Sequence, residues 1–195
     1  DYGLEDCVVK NTPKLIAGAQ ESGINVLIEG TQGSALSLFH SHWPYCTSTD
    51  TNASGIIAEV GIAPSRVTDV LMVCRTYPIR VAGNSGPMQN EISWEELSKR
   101  IGYEIEPEKT TVTHKIRRIA EWDDDLFEQS CLLNAPTALA LTFTDYIDPY
   151  IKDATDVNRL KASAPFNEFV EEHGLGDIIR YVGTGPKTVI DLKKE

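Results

Sequence analysis

The chain has 195 residues, and its 18 basic and 29 acidic side chains give it a formal net charge of −11. This length fits one domain or one and a half, and a composition of 41% apolar and 24% charged residues excludes disordered, collagen-like and low-complexity chains. Because a surface of this charge repels phosphates, we expect no nucleic acid partner, and only a local basic pocket is compatible with the composition.

The first 76 residues are predicted to contain one helix and two strands. The helix covers 12–22, with Thr12 as its cap and Pro13 in its first turn. A dense apolar run at 25–29 predicts a buried strand, and a run rich in β-branched residues at 67–76 predicts a second one.

The remainder alternates helices with apolar strands. A capping box at Ser93 and Glu96 predicts a helix that extends to about Gly102. Further helices and strands are predicted, in alternation, at 127–134, 138–144, 166–173 and 178–182, the last followed by a loop at 183–186. The stretch 150–165 is predicted to be a surface loop, either mobile or ordered. This alternation predicts an α/β fold with a mostly parallel sheet and helices on both faces.

Membrane and metal signals are weak. No apolar run reaches the roughly 18 residues of a membrane span, and no signal peptide or lipidation motif is present, so we expect a cytoplasmic protein. The four cysteines form no CxxC pair and are predicted to be reduced thiols: Cys7, Cys46, Cys74 and Cys131. His40 and His42 have no evident third ligand, so we expect no metal site in this chain.

Four polar loops carry ligand-like residues, at 29–33, 45–51, 110–118 and 141–145. We expect each of them to follow the end of a strand, and because strand ends in such a sheet face one crevice, we expect the four loops to line it. The second loop suits a phosphate, the third an anionic group, and Asp145 in the fourth suits two N–H groups of a purine edge. Each loop also has a plainer interpretation as a helix cap, a solvated turn or a basic surface paired with an acidic run.

Motifs of several common enzyme classes are absent from the sequence. It has no P-loop, dinucleotide fingerprint, nucleophile elbow or zincin motif. Taken in order, however, its loops resemble those of the adenylosuccinate synthetase family. The resemblance rests on six segments: 26–33 (VLIEGTQG), 43–51 (WPYCTSTDT), 75–87 (RTYPIRV with GP), 113–123, 141–145 (LTFTD) and 183–186 (GTGP).

The resemblance implies a chemistry. The family joins L-aspartate to C6 of a 6-oxopurine nucleotide. A nucleoside triphosphate phosphorylates O6, and the aspartate amine then displaces that phosphate. The implied partners are a purine nucleoside monophosphate, L-aspartate, a triphosphate donor (ATP, dATP or GTP) and Mg²⁺ between the triphosphate oxygens. No membrane partner is implied.

The resemblance also implies site residues. The monophosphate would meet Gln32 near its base, Thr47 near its 5′-phosphate, and Arg80 and Val81 along its ribose. The loop that binds L-aspartate would be lined by Thr113, Lys115 and Arg117, and the guanidinium of Arg117 would bind a carboxylate through two nitrogens. The base of the triphosphate would be held by Phe143, Asp145, Gly185 and Pro186.

Two departures from the family pattern point to one particular branch of the family. Phe143 stands where the family has a lysine associated with GTP preference, which makes ATP or dATP plausible. Lys115 and His114 stand where the family has arginine and glycine, and a more apolar loop would tolerate 2′-deoxyribose. The sequence thus resembles the branch of bacteriophages and prokaryotic relatives that acts on dGMP, for DNA in which 2-aminoadenine replaces adenine. Two alternatives are an IMP enzyme using GTP and a non-catalytic nucleotide-binding relative.

The resemblance finally implies how the chain is organised. Residues 1–195 would be the C-terminal portion of one P-loop-like ligase domain. The catalytic residues, the metal ligands and the phosphate loop would lie N-terminal to it. A homodimer is implied by resemblance alone.

Overall fold

The computed structural model describes residues 11–193, so Cys7 and the start of the chain at Asp1 lie outside the described residues. The chain forms two compact units. Unit 1 is Asp1–Thr68 and unit 2 is Asp69–Glu195. No described helix is long and apolar enough to cross a membrane.

The described part of unit 1 contains two α-helices, α1 (Thr12–Glu21) and α2 (Ala53–Val60), and two short 3₁₀ helices. The prediction of Thr12 as the cap of α1 is wrong: Asn11 caps it, since its side chain accepts the Lys14 N–H at 2.9 Å and Thr12 is already helical. Asn52 caps α2 in the same way, and α2 ends at Gly61, whose φ of 75° is left-handed.

The strand predicted at 25–29 is wrong. These residues form neither helix nor strand, and Leu27 is 89% exposed. A strand must pair its backbone groups with a neighbour, and no described residue pairs with this segment. An apolar run alone therefore did not specify a strand.

Unit 2 contains strands and helices in mixed order. The strands are β1 (Leu71–Arg75), β2 (Ile79–Arg80), β3 (Glu91–Ile92), β4 (Arg118–Ala120), β5 (Ala138–Thr142), β6 (Ile179–Gly185) and β7 (Thr188–Asp191). The helices are α3 (Trp94–Ile101), α4 (Asp124–Asn134), α5 (Val157–Lys161) and α6 (Ala164–Glu172). The predicted helices and the other three strands are thus present with shifted bounds.

The larger sheet has the order β1-β5-β6-β7. β1, β5 and β6 are parallel, and β7 returns antiparallel to β6. This confirms the predicted α/β fold with a mostly parallel sheet. The loop predicted at 183–186 is largely wrong, because Gly183, Thr184 and Gly185 continue β6 and only Pro186 lies in the turn to β7.

The main core lies on one face of this sheet. Leu139, Leu141 and Val182 are buried there against Leu160 and Phe166 of α5 and α6. On the opposite face, by strand alternation and register, lie Leu71, Val73 and Val189, which are exposed; Val73 is 65% exposed.

A second, smaller sheet has the antiparallel order β2-β4-β3. α3 packs on it and buries Trp94, Leu97 and Ile101 against Ile119. The predicted cap of α3 is confirmed, since Ser93 Oγ accepts the Glu96 N–H at 3.0 Å.

The stretch 150–165 is built from ordered elements. It contains a 3₁₀ turn (Pro149–Ile151) and α5, and it buries Ile151, Ala154, Leu160 and Ser163. Ser163 Oγ donates to Asp148 at 2.5 Å. The prediction of a surface loop is therefore wrong, because this stretch forms helical turns and buries four of its side chains.

Three cysteines are free thiols in the described residues: Cys46, Cys74 and Cys131. Burial raises the pKa of the Cys74 thiol to about 12, and the neighbouring Cys131 adds to the rise. Cys74 is therefore protonated and unreactive at neutral pH.

Candidate functional site

The first two polar loops lie together in unit 1. Thr51 Oγ1 donates to the Gly33 carbonyl at 2.7 Å, and the Thr47 N–H donates to the Leu36 carbonyl at 2.8 Å. Gln32 is exposed and has a left-handed φ of 67°. These bonds hold the Gln32 turn beside the loop that carries Thr47.

Several polar side chains of the second loop are already hydrogen-bonded to neighbouring residues of unit 1. Asp50 accepts hydrogen bonds from the buried hydroxyl of Ser37 and from Asn52 Nδ2, and Thr49 Oγ1 donates to Glu59. The Thr47 hydroxyl takes no part in these bonds. A phosphate at this loop would therefore meet Thr47 rather than Thr49 or Asp50.

In unit 2, the carboxyl ends of the three parallel strands carry Arg75, Thr142 and Gly185. Open α/β sheets bind ligands at this edge. Phe143 follows β5 directly, and Asp145 lies two residues later in a 3₁₀ turn. The structure thus brings Phe143, Asp145 and Gly185 to one edge.

Asp145 is only 5% exposed, and burial raises the pKa of its carboxyl. The nearby Asp153 also raises it, whereas the hydrogen bond from the residue's own backbone and the charge of Lys152 lower it. Lys152 lies 4.5 Å from the centroid of the Tyr103 ring. The Tyr103 hydroxyl is buried and has no hydrogen-bond partner among residues 11–193. This cluster offers both hydrogen-bond donors and acceptors to a ligand.

Gly185 has no room for a side chain. A Cβ there would overlap Asp153 Oδ1 and would lie 3.0 Å from Thr188 Oγ1. Asp153, with a left-handed φ of 55°, donates its N–H to the Thr184 carbonyl at 2.9 Å. The glycine therefore allows the Asp153 carboxylate to approach the end of β6. Pro186 beside it is exposed.

The smaller sheet carries a basic pair. Arg80 of β2 lies opposite Arg118 of β4. Arg118 pairs with Glu91 through two nitrogens, at 2.8 and 2.5 Å, and Arg80 Nε donates to the Ser85 carbonyl at 2.8 Å. Burial and the charge of Arg118 lower the pKa of Arg80. Val81 next to Arg80 is exposed.

The loop that holds the proposed aspartate residues is a tight turn before β4. The Thr110 N–H donates to the Lys115 carbonyl at 2.9 Å, and the hydroxyls of Thr110 and Thr113 are 2.6 Å apart. His114 has a left-handed φ of 51°, the conformation that glycine adopts most easily. The backbone of Arg117 is bonded to Glu108 and to the Trp94 indole.

The expectation that all four loops follow strand ends is wrong. The 29–33 and 45–51 loops follow no strand within the described residues, and the 110–118 loop precedes β4. Only the 141–145 loop and the 183–186 segment lie at the carboxyl edge of the parallel sheet. That the loops of the two units line one crevice stays a prediction.

The sequence did not indicate three neighbours of Asp145, which tertiary packing places beside it: Tyr103, Lys152 and Asp153. Lys152 and Asp153 fell in a stretch predicted to be a surface loop. Arg75, which lies over the Phe143 ring and pairs with Glu108, belonged to one of the six segments but received no role.

Residues 11–193 contain no group of three or more histidine, cysteine or acidic side chains that could hold a metal ion.

A mostly parallel sheet with a buried carboxylate at its carboxyl edge, together with a small antiparallel sheet that carries Arg80 and Arg118, defines an α/β protein of the kind that binds ligands at that edge. The chain belongs to the adenylosuccinate synthetase family, whose model matches residues 4–158.

Curated relatives include the adenylosuccinate synthetase of Methanococcus maripaludis strain S2, 41% identical over 181 residues, which is 91% of this chain and 51% of the relative. The enzyme of Methanocaldococcus jannaschii is 40% identical over 184 residues, 92% of this chain and 51% of the relative. The chain thus spans about half the length of these relatives.

Two solved structures are similar. The cyanophage S-2L succinoaminodeoxyadenylate synthetase, solved with dGMP and with dATP as an energy donor, matches with 29% identity and a TM-score of 0.67 over 84% of this chain and 45% of that one. The fully ligated adenylosuccinate synthetase of Plasmodium falciparum matches with 20% identity and a TM-score of 0.80 over 97% and 55%. At 20% identity, the second likeness shows the fold alone.

Proposed function

We propose that this chain is part of a ligase that joins L-aspartate to C6 of a 6-oxopurine nucleotide, with dGMP as the acceptor and ATP or dATP as the donor. The product is the N6-succino adduct of 2-amino-2′-deoxyadenylate. The observation that carries this choice of donor is Phe143, an aromatic ring at the position where the family pattern has a lysine. Likeness to a synthetase solved with dGMP and dATP supports it.

Roles follow for the residues of each loop. Gln32, Thr47, Arg80 and Val81 contact the monophosphate. Thr113, Lys115 and Arg117 hold the aspartate carboxylates, where charged hydrogen bonds are strongest. Phe143, Asp145, Gly185 and Pro186 hold the donor base.

The buried edge of the parallel sheet supports the donor-base assignment. A carboxylate accepts two N–H groups of guanine, whereas a protonated carboxyl can both donate to N1 and accept from the amino group of adenine. Burial shifts the pKa of the Asp145 carboxyl upward from its usual range, and in either form this carboxyl can pair with the edge of a purine base.

We also propose that the remaining parts of the active site come from the half of the family domain that this chain does not match. These parts are the phosphate loop, the catalytic residues and the Mg²⁺ ligands; Mg²⁺ supplies charge neutralisation between triphosphate oxygens. The same proposal includes assembly as a homodimer and a cytoplasmic location, in the cytoplasm of the host if a phage encodes the protein.

An IMP-specific enzyme that uses GTP is the second candidate. The curated relatives at 40% and 41% identity are adenylosuccinate synthetases by name, which favours it. A nucleotide-binding relative without catalysis is the third.

The test is a four-way assay. The protein expressed from its natural gene is incubated with aspartate, Mg²⁺, dGMP or IMP, and ATP or GTP, and the succino product is measured by chromatography. We expect turnover with dGMP and ATP. Turnover only with IMP and GTP would establish the second candidate, and nucleotide binding without product in any combination would establish the third.

A single substitution checks the residue that carries the donor choice. Phe143→Lys restores an ammonium group at the family position, so we expect the ATP-to-GTP ratio of kcat/KM to fall. Leu132→Lys, on the exposed surface of α4, is the matched control. An unchanged ratio in Phe143→Lys would remove this residue from donor selection.

A further inference from the structure

Arg75 is held at the end of β1 by contacts that use all three of its guanidinium nitrogens. Nε donates to the Tyr77 carbonyl at 3.2 Å, and the two terminal nitrogens donate to Glu108 at 3.3 and 2.5 Å. The side chains of Arg75 and Glu108 are only 21% and 28% exposed. A half-buried, bidentate pair fixes the plane of the guanidinium.

That plane covers Phe143. The guanidinium carbon of Arg75 lies 3.6 Å from the centroid of the Phe143 ring. Arginine stacks on aromatic faces through both dispersion and charge. The ring is thereby held from the side of β1.

Phe143 needs such support because its backbone is left-handed, with φ 61° and ψ 33°. This conformation is unfavourable for a residue with a side chain, because its Cβ crowds the following carbonyl oxygen. Its carbonyl accepts the Thr76 hydroxyl at 2.7 Å and the Tyr146 N–H at 3.1 Å. Hydrogen bonds hold the backbone of the turn, and Arg75 holds its side chain.

The turn decides where Asp145 lies. Between the two residues, Thr144 is fully buried and its hydroxyl donates to the Gly183 carbonyl at 3.0 Å. A change of backbone conformation at Phe143 would therefore move the carboxyl that follows it.

We propose that Arg75 is a positioning residue of the donor-base subsite: by stacking on Phe143 and pairing with Glu108, it holds the left-handed turn that presents Asp145 to the base. This inference rests on the proposed function for the identity of the ligand. Glu108 also links the turn to the proposed aspartate loop, because its backbone carbonyl accepts the Arg117 N–H at 2.8 Å.

The test compares Arg75→Ala and Arg75→Lys with Arg159→Ala, whose guanidinium lies over a different ring, 5.2 Å from the centroid of Tyr150. ATP and GTP affinities are measured by calorimetry, and exchange of the Tyr146 amide by hydrogen exchange. In Arg75→Ala we expect ATP affinity to fall about tenfold or more, the ATP-to-GTP ratio to approach one, and Tyr146 to exchange about tenfold faster.

Lysine keeps the positive charge but can neither pair with Glu108 through two nitrogens nor stack on the Phe143 ring, so Arg75→Lys should resemble Arg75→Ala. Arg159→Ala should resemble the wild type. Equal losses of ATP and GTP affinity, or full rescue by lysine, would overturn the proposal in favour of a general structural role.

If Arg75→Ala does not fold, Glu108→Gln takes its place, with the same expected direction. If the wild type binds neither nucleotide, the proposed donor site fails, and the Tyr146 exchange rate alone decides whether Arg75 holds the turn.

Discussion

At the scale of single residues, Asp145 has the most unusual environment among the proposed site residues. Its carboxyl is buried and its pKa is raised in the folded state relative to an exposed aspartate. Protonation therefore favours the fold. The carboxyl costs stability once it is ionised, and this cost grows as pH rises from the unfolded pKa, about 3.9, through the folded one.

Asp145→Asn is expected to remove that cost. The variant should gain stability over the wild type as pH rises from the unfolded pKa of about 3.9 through the folded one, measured as the free energy of urea unfolding. Asp177→Asn, at an exposed position, serves as the control for the substitution itself. A flat difference for Asp145→Asn would contradict the raised pKa.

Arg117 is expected to act on aspartate rather than on nucleotide. Its main-chain groups are already bonded to Glu108 and Trp94, which fixes the residue and leaves the guanidinium for a ligand. Arg117→Ala should raise the KM for aspartate about tenfold or more, because loss of a charged partner typically costs several kcal/mol, and should change the nucleotide KM much less.

Lys109→Ala, in the same segment but paired with Glu106, is the control. Its aspartate KM should stay near that of the wild type. If Arg117→Ala leaves the aspartate KM unchanged, Arg117 does not bind this substrate.

At the scale of elements, α3 shows how much a local signal can carry. Ser93 caps the helix and Gly102 ends it with a left-handed φ of 78°, while Trp94, Leu97 and Ile101 share one buried face. All of these features lie within ten residues, so the sequence predicted both ends of the helix.

Removal of this cap should have a measurable cost. Ser93→Ala is expected to lower the free energy of unfolding by about 1 kcal/mol, since it leaves the Glu96 N–H without its side-chain acceptor. Ser65→Ala, on an exposed turn, should change stability by less than about 0.5 kcal/mol. Equal effects of both substitutions in urea unfolding would contradict the role of the cap.

Other elements were beyond local prediction for physical reasons. The 25–29 run has a strand-like composition but pairs with no described strand. Local composition could not reveal this, because strand formation depends on a neighbour elsewhere in the chain. β2 and β3 have two residues each, too few for a periodic pattern. The candidate site likewise contains residues that a local motif predicts and residues that it does not. Asp145 was predicted from a motif, whereas Tyr103 and Asp153 come close to Asp145 only through tertiary packing.

At the scale of the whole molecule, the two units differ in how they are stabilised. Both buried apolar clusters consist of unit 2 residues, including Leu97, Ile119, Leu139 and Leu141. The buried residues described in unit 1 are polar: Ser37, Thr51 and Asn52. Since apolar burial is the main stabilising contribution to folding, unit 2 holds most of the stability.

A dissection experiment follows from this difference. A polypeptide of residues 69–195 should unfold cooperatively in urea, with a circular dichroism spectrum of a mixed α/β protein, whereas residues 1–68 alone should show no cooperative transition. The intact chain is the reference for both. A 69–195 polypeptide without a cooperative transition would show that its clusters need unit 1.

The exposed face of the larger sheet favours association of the chain with itself, whereas its net charge opposes association. Leu71, Val73 and Val189 form an apolar surface that attracts other apolar surfaces in water, and the net charge of −11 makes copies of the chain repel one another. Salt shortens the range of that repulsion to about 3 Å at 1 M but leaves the apolar attraction in place. The chain on its own is therefore best handled in dilute, low-salt buffers well above its isoelectric point of about 4.8.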